Sequence, residues 1–366
     1  MAPKVAIVHD YLTQRGGAER TVLAMLKAFP DAPVYTSVYS PDRTFPEFHD
    51  ADVRTIPWLG HVPALRAHHW LGFGLYGSAF RHLTVDADLV ICSSSGWSHQ
   101  VQCNGRKLVY CHTPSRWLFG TNNPLFHPKD QAWPMTLIRP ILSLLARKDV
   151  RAALKADQYV ATSKLVKARI ASCYKGMVAD VLPPPMGLSA DGPQTPVSVD
   201  PGYFLVVSRL VPYKNVDSIV RAALLSGHRL VVVGEGRCRR HLEKIAGGSV
   251  KFLGRVNDSE LRWLYSNASA LVSASYEDFG LTPLEANAFG RPCATLRWGG
   301  FLDTIVDEKN GILFDAPEPQ SIAKAFEEIA NREWDSNWLR DHAGTFSGDS
   351  FLERLRQLVN GELGLE

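Results

Sequence analysis

The sequence predicts an α/β protein of two doubly wound, parallel-sheet domains, on three observations. Short β-branched runs alternate with helical patterns from end to end, the grammar of successive βα units. Several of those runs are almost continuously apolar, as strands covered on both faces must be. A proline- and glycine-rich tract, Pro183 to Gly202, breaks the alternation once, after which it restarts. With 366 residues, 45% of them hydrophobic, the chain exceeds the roughly 100 to 200 residues of one domain.

In chain order, KVAIVHD (4–10) reads as the first strand and AERTVLAMLKAF (18–29) as an amphipathic helix behind it. DLVICSSS (88–95), KLVYCHT (107–113) and QYVATS (158–163) read as buried parallel strands. These define a first domain, 1–185, and the segment 186–202 is expected as a linker. A second domain, 203–345, opens on YFLVVSRL (203–210) and continues through VDSIVRAALLS (216–226), RLVVVGEG (229–236), VKFLGR (250–255), DSELRWLYSNA (258–268) and ALVSAS (270–275). Residues 346–366 are expected to form a helix returning to the first domain. Two such sheets are expected to face each other across a cleft, with ligands beyond the carboxyl ends of the strands.

Composition narrows the function. No apolar run reaches the roughly 20 residues that cross a bilayer, and MAPKVAIVHDYL lacks the pattern of a signal peptide, so a cytosolic protein is expected. Cys92, Cys103, Cys111, Cys173, Cys238 and Cys293 form no C-x-x-C pair and read as reduced core residues. The net charge of +3 divides into +8 for residues 1–185 and −5 for the remainder. A basic first half suits an anionic partner, or is scattered surface charge. Within it, 63–83 mixes Trp70, Phe73, Tyr76 and Phe80 with Arg66 and Arg81, and 137–155 is a basic, apolar helix. Each is either a segment that lies on an anionic membrane or a core helix with a solvated basic edge.

Four features carry chemistry at strand ends. Gly16 and Gly17 precede the first helix, where backbone N–H groups and the helix dipole hold phosphate or a sugar hydroxyl, unless the turn is merely flexible. Arg209 and Lys214, in SRLVPYKN, suit a diphosphate clamp or are solvated loop cations. The G-x-G of GEGRC (234–238) has Arg239 where a dinucleotide fingerprint has Gly or Ala, which argues against a nicotinamide site. In EDFGLTPLE, Thr282 reads as N-cap with Pro283 at the first helical position, and Glu285 as the far half of a capping box or as a ligand-binding carboxylate. Asp86-x-Asp88 precedes its strand, against a metal-binding role.

RGGAER, YCHTPSRWLF (110–119), SRLVPYKN and Glu277-x7-Glu285 occur in an order, and over a span, in which the chain resembles the family-4 retaining glycosyltransferases of the GT-B fold. The resemblance implies that Glu285 holds the ribose hydroxyls of a nucleotide-sugar donor and that Glu277 touches the transferred sugar. It places Arg209 and Lys214 on the diphosphate, and Phe279, Gly280, Leu281 and Thr282 against sugar and phosphate. Gly16 and Gly17 join that donor site. His112 falls near the reacting sugar, orienting the sugar or the leaving phosphate more than acting as a base. Val256, with Arg255 and Asn257, falls near the base; Gly17, Arg116 and Trp117 fall near the acceptor. No metal or other cofactor is implied.

HTPSRWLF resembles the corresponding stretch of mannosyltransferases that build bacterial surface polysaccharides, which implies GDP-mannose as donor and a glycan or polyprenyl-linked acceptor at the cytoplasmic membrane. UDP-glucose and UDP-N-acetylglucosamine stay open as donors. A catalytically inactive nucleotide-sugar-binding partner, an epimerase and a phosphorylase are the rival readings, and nothing points to nucleic acid.

Overall fold

A computed structural model describes residues 3–60, 62, 65, 72–120 and 135–364. Its described residues divide into two compact units: those up to 185 with the C-terminal 348–364, and residues 186–347.

The first unit is built on a parallel sheet of β1 (Val5–His9), β2 (Val34–Thr36), β3 (Val53–Thr55), β4 (Leu89–Ser94), β5 (Arg106–Cys111), β6 (Gln158–Ala161) and β7 (Asp180–Val181), ordered β3-β2-β1-β4-β5-β6-β7. Alternate residues of one strand enter opposite cores: Ala6, Val8, Val90 and Cys92 on one face, Val5, Ile7, Leu89 and Ile91 on the other. Burial on both faces is why β1 and β4 are apolar up to their carboxyl ends, where His9, Ser93 and Ser94 stand. Helix α1 (Gly17–Ala28) follows β1 and buries Val22 and Met25. The C-terminal helix Gly348–Leu363 packs Phe351, Leu355 and Val359 into the same cluster, with Phe351 edge-on to Tyr110.

Helix α2 (Phe73–Arg81) buries Tyr76 and Phe80 completely, so these two aromatics of the 63–83 stretch belong to the core. Arg66 and Trp70 lie outside the described residues. Helix α3 (Met135–Ala153) differs: it exposes Ile141 and Leu144 together with Lys148 and Arg151, one stripe at helical spacing. Among the described residues, no helix is long and apolar enough to cross a membrane.

The second unit holds a parallel sheet of β8 (Tyr203–Val207), β9 (Leu230–Val233), β10 (Val250–Gly254), β11 (Ala268–Ser273), β12 (Cys293–Leu296) and β13 (Gly311–Phe314), ordered β10-β9-β8-β11-β12-β13. The order reverses between β8 and β11, the switch point at which sheets of this kind bind ligands. Helix α4 (Val216–Ser226) lays Ile219, Val220, Ala222 and Ala223 on one face of the sheet and ends at Gly227, whose φ of 70° closes the helix in the left-handed conformation. Helix α5 (Asp258–Asn267) begins with a capping box between Asn257 and Glu260.

Residues 186–202 form no helix or strand, as their prolines dictate, yet they pack within this unit and do not hang free as a linker. Leu188 is buried in its core, and Thr195 N–H donates to Ser259 O at 3.0 Å.

Candidate functional site

In the second unit, the residues singled out from the sequence follow the carboxyl ends of three strands. The loop after β8 is pinned from below: Leu210 is buried, and its N–H donates to Glu235 O at 2.9 Å. Gly234 and Gly236 permit that approach, since a Cβ on either would lie 1.9 Å from Ser208 O or 2.2 Å from Leu210 O. The G-x-G is thus used for packing one strand exit on the next. Asn215 turns the chain into α4 through a left-handed conformation and donates from Nδ2 to Ala274 O at 2.8 Å, tying this loop to the exit of β11.

Across that tie, Lys214 Nζ bonds Glu277 Oε1 in a half-buried ion pair, and Ser275 Oγ donates to the same oxygen at 3.2 Å. No local pattern joins the two residues; β8 and β11, adjacent at the switch point, do so. An ammonium has three hydrogens, so Lys214 can bind the carboxylate and still donate to a phosphate oxygen. Arg209 is exposed and donates from Nη2 to the Tyr213 hydroxyl at 2.8 Å.

The loop carrying Glu277 is held by Gly300 N–H donating to Glu277 O at 3.0 Å. Phe279 is buried, and Gly280 has a φ of 86°, where a Cβ would lie 2.4 Å from the Phe301 ring. Helix α6 (Thr282–Ala288) follows, with Leu281 as N-cap and Thr282 already helical. The capping box expected at Thr282 is therefore absent. The buried Glu285 instead accepts a hydrogen bond from the Tyr265 hydroxyl at 2.9 Å. Burial first, and then the Glu285 carboxylate, push the Tyr265 phenol well above its usual range, which keeps it a donor. Tyr265→Phe should lower affinity for a ligand held by Glu285 about three- to tenfold, by titration calorimetry, because the net worth of one such bond is about 1 kcal/mol. Val256 is half-buried against the core below, flanked by exposed Arg255 and by Asn257, which caps α5.

The first unit carries the others. His9, at the end of β1, is buried; its Nδ1 lies 3.1 Å from Ser93 O and 3.0 Å from Ser93 Oγ, and its Nε2 is 4.0 Å from Glu19 Oε1. Ser93 Oγ in turn is 2.9 Å from Nε2 of the half-buried His112. Burial opposes a charge on His9, but the Glu19 carboxylate and its neighbours raise its pKa above the ordinary value. Burial, and next the charge on His9, push His112 down to about 3, so its ring is neutral near pH 7.

Gly16 caps α1 in an extended conformation, and a Cβ there would lie 2.6 Å from Glu19 Oε2, so the buried acid explains one glycine of the pair. Gly17 opens the helix, its carbonyl accepting from Thr21 Oγ1 at 2.9 Å. Asp10 accepts from the N–H groups of Ser95, Trp97 and Ser98 at 2.6, 2.9 and 2.7 Å, which fixes the loop after β4. Arg116 and Trp117 lie on a short helix, Trp117 stacked on Trp97 at 5.9 Å.

Residues 191–343 match the family described as glycosyl transferases group 1. This region of the chain is similar to the group 1 glycosyltransferases. A glycosyltransferase of Methanocaldococcus jannaschii, itself uncharacterized, is 35% identical over 148 residues, 38% of each chain. The alpha-1,3/1,6-mannosyltransferase ALG2 of Dictyostelium discoideum is 40% identical over 83 residues, 22% of this chain and 20% of that one. The chain thus spans well under half the length of these relatives in alignment. Among solved structures, Anabaena HepE in complex with UDP-glucose aligns with a TM-score of 0.68 at 17% identity over 98% of this chain and 99% of that one, which shows the GT-B fold.

His9, Glu19, Ser93, Asp10 and Tyr265 were not among the residues singled out from the sequence. The first four had a visible signal: polar residues closing otherwise apolar strands, and an acid in the first turn of α1. The Asp86-x-Asp88 pair is engaged by Lys4. Asp88 accepts from Lys4 N–H at 2.7 Å and Asp86 pairs with Lys4 Nζ at 3.4 Å. Among the described residues, no three His, Cys, Asp or Glu side chains gather as metal ligands.

Proposed function

We propose that this glycosyltransferase moves mannose from GDP-mannose, with retention, onto a glycan or polyprenyl-linked acceptor in surface polysaccharide or glycolipid synthesis. The observation that carries the reading is the Lys214–Glu277 pair at the switch point of the second sheet, with Glu285 buried one helix turn beyond. Strand-end cations and a helix start are what a nucleotide diphosphate requires, and a buried carboxylate suits ribose hydroxyls. HTPSRWLF and the identity with a mannosyltransferase support mannose; a GT-B structure bound to UDP-glucose supports UDP-glucose as the rival donor.

In the proposed reaction the acceptor oxygen forms its bond to the anomeric carbon on the face from which the diphosphate departs. The carbon–oxygen bond to phosphate breaks, and a phosphate oxygen takes the acceptor proton. Arg209, Lys214 and the start of α6 stabilise the charge that grows on the diphosphate. His112 acts as a neutral hydrogen-bonding group toward the transferred sugar. The site needs no metal on this reading.

Thermal denaturation against a panel of nucleotide sugars tests the donor. At a hundredfold excess over Kd, GDP-mannose should stabilise the protein by about 2.7 kcal/mol, a shift of roughly 5 to 10 °C. A shift with UDP-glucose alone would reassign the donor, and binding without slow donor hydrolysis would mark an inactive binding partner.

The exposed stripe of α3, Ile141 and Leu144 beside Lys148 and Arg151, supports docking on an anionic membrane surface. Lys148→Glu with Arg151→Glu should cut co-sedimentation with phosphatidylserine vesicles at low salt at least tenfold, since each cation near such a surface contributes about 1 kcal/mol. Equal binding by wild type and the double variant would remove α3 from the interface.

A further inference from the structure

The polar chain that ends at His112 has a direction that its partners dictate. Ser93 O is a backbone carbonyl and can only accept, so His9, 3.1 Å away, carries a hydrogen on Nδ1. That N–H also faces Ser93 Oγ at 3.0 Å, so the serine oxygen receives a bond from His9. Ser93 is fully buried, and a buried hydroxyl hydrogen needs an acceptor. His112 Nε2, at 2.9 Å, accepts it. On the far side of His9, Glu19 is buried with Oε2 unpartnered and Oε1 facing Nε2, which favours a second hydrogen there.

We propose that Ser93 is a positioning residue: it holds His112 as the neutral ring with its hydrogen on Nδ1, and His9, oriented by Ser93 O and Glu19, holds Ser93. The consequence rests on the functional reading given above. A ring fixed this way is an uncharged donor at Nδ1 and has no free nitrogen to serve as a base, as suits orientation of a sugar hydroxyl or a phosphate oxygen. The lowered pKa of His112 agrees with this, since a charged ring could not accept at Nε2.

Long-range 1H–15N spectra of the full chain labelled at histidine, with the His112 signals identified by their loss in His112→Asn, read the tautomer directly. Wild type should show a bare Nε2 and a protonated Nδ1 from pH 6 to 8. Ser93→Ala should move the hydrogen toward Nε2, and Ser93→Thr, which keeps the hydroxyl, should restore the wild-type pattern. Turnover should follow: kcat down about 10- to 100-fold in Ser93→Ala with donor Kd within threefold, most of it regained in Ser93→Thr, in line with the large cost of a wrong tautomer. A wild-type ring protonated on Nε2 overturns the proposal without any variant, as does a Ser93→Ala spectrum identical to wild type. A changed tautomer with unchanged turnover leaves the positioning intact and overturns the role given to His112.

Discussion

Lys214→Ala should lower kcat/KM for the nucleotide-sugar donor by about 10²- to 10³-fold, or roughly 3 to 4 kcal/mol of transition-state stabilisation. The magnitude comes from two losses. On the proposed function, the variant removes the compact charge that would meet the departing diphosphate, and it also strips Glu277 of its cation. The uncompensated carboxylate then opposes the negative charge that grows as the sugar leaves. Lys214→Arg should recover little, because a planar guanidinium cannot replace an ammonium that must meet a carboxylate and a phosphate from different directions. Combining Lys214→Ala with Glu277→Gln should cost clearly less than the sum of the single variants, since the second change removes the charge the first left bare. Steady-state kinetics on the four proteins decides it. A Lys214→Ala enzyme within threefold of wild type, or strict additivity, would place the diphosphate elsewhere.

The strands were legible because both faces of each parallel sheet are covered. Residues 203–207 and 230–233 send alternate side chains into two cores and so had to be apolar throughout. Helix 216–226 was legible to the residue because its apolar face, its start beyond Asn215 and its closing Gly227 are all local signals. Glu285 shows where local signals mislead. Thr282-x-x-Glu285 has the spacing of a capping box, but the helix starts with Thr282 already inside it, and Tyr265, 20 residues away, bonds the carboxylate. His9, Ser93 and His112 form a network that no local pattern contains. The parallel register that pairs His9 with Ser93, and Ser94 with Cys111 just before His112, brings them together. What escaped the sequence was thus not the type of any residue but the order in which the strands lie side by side.

Asp10→Ala should have the largest effect on stability, about 3 to 6 kcal/mol in the first unit. Its carboxylate is almost fully buried and accepts three backbone N–H bonds, from Ser95, Trp97 and Ser98. Removing it leaves three donors without a partner in a loop that water does not reach freely, and each stranded group costs about 1 to 3 kcal/mol. Asp10→Asn retains one accepting oxygen and should lose about half as much. The two units need not unfold together, so a single midpoint would not assign the loss to the first unit. Amide hydrogen exchange is the right one: protection at Ser95, Trp97 and Ser98, and in β4, should fall while β8 and β11 keep theirs. Unchanged exchange in the first unit would mean that the loop finds other acceptors. Because that loop starts two residues after Ser93, Asp10→Ala should also loosen His112 and lower turnover, whereas Ser93→Ala, which leaves all three Asp10 bonds in place, should lower turnover with exchange at the loop unchanged. The pair of variants therefore separates a loss of the ring's orientation from a loss of the loop that carries it.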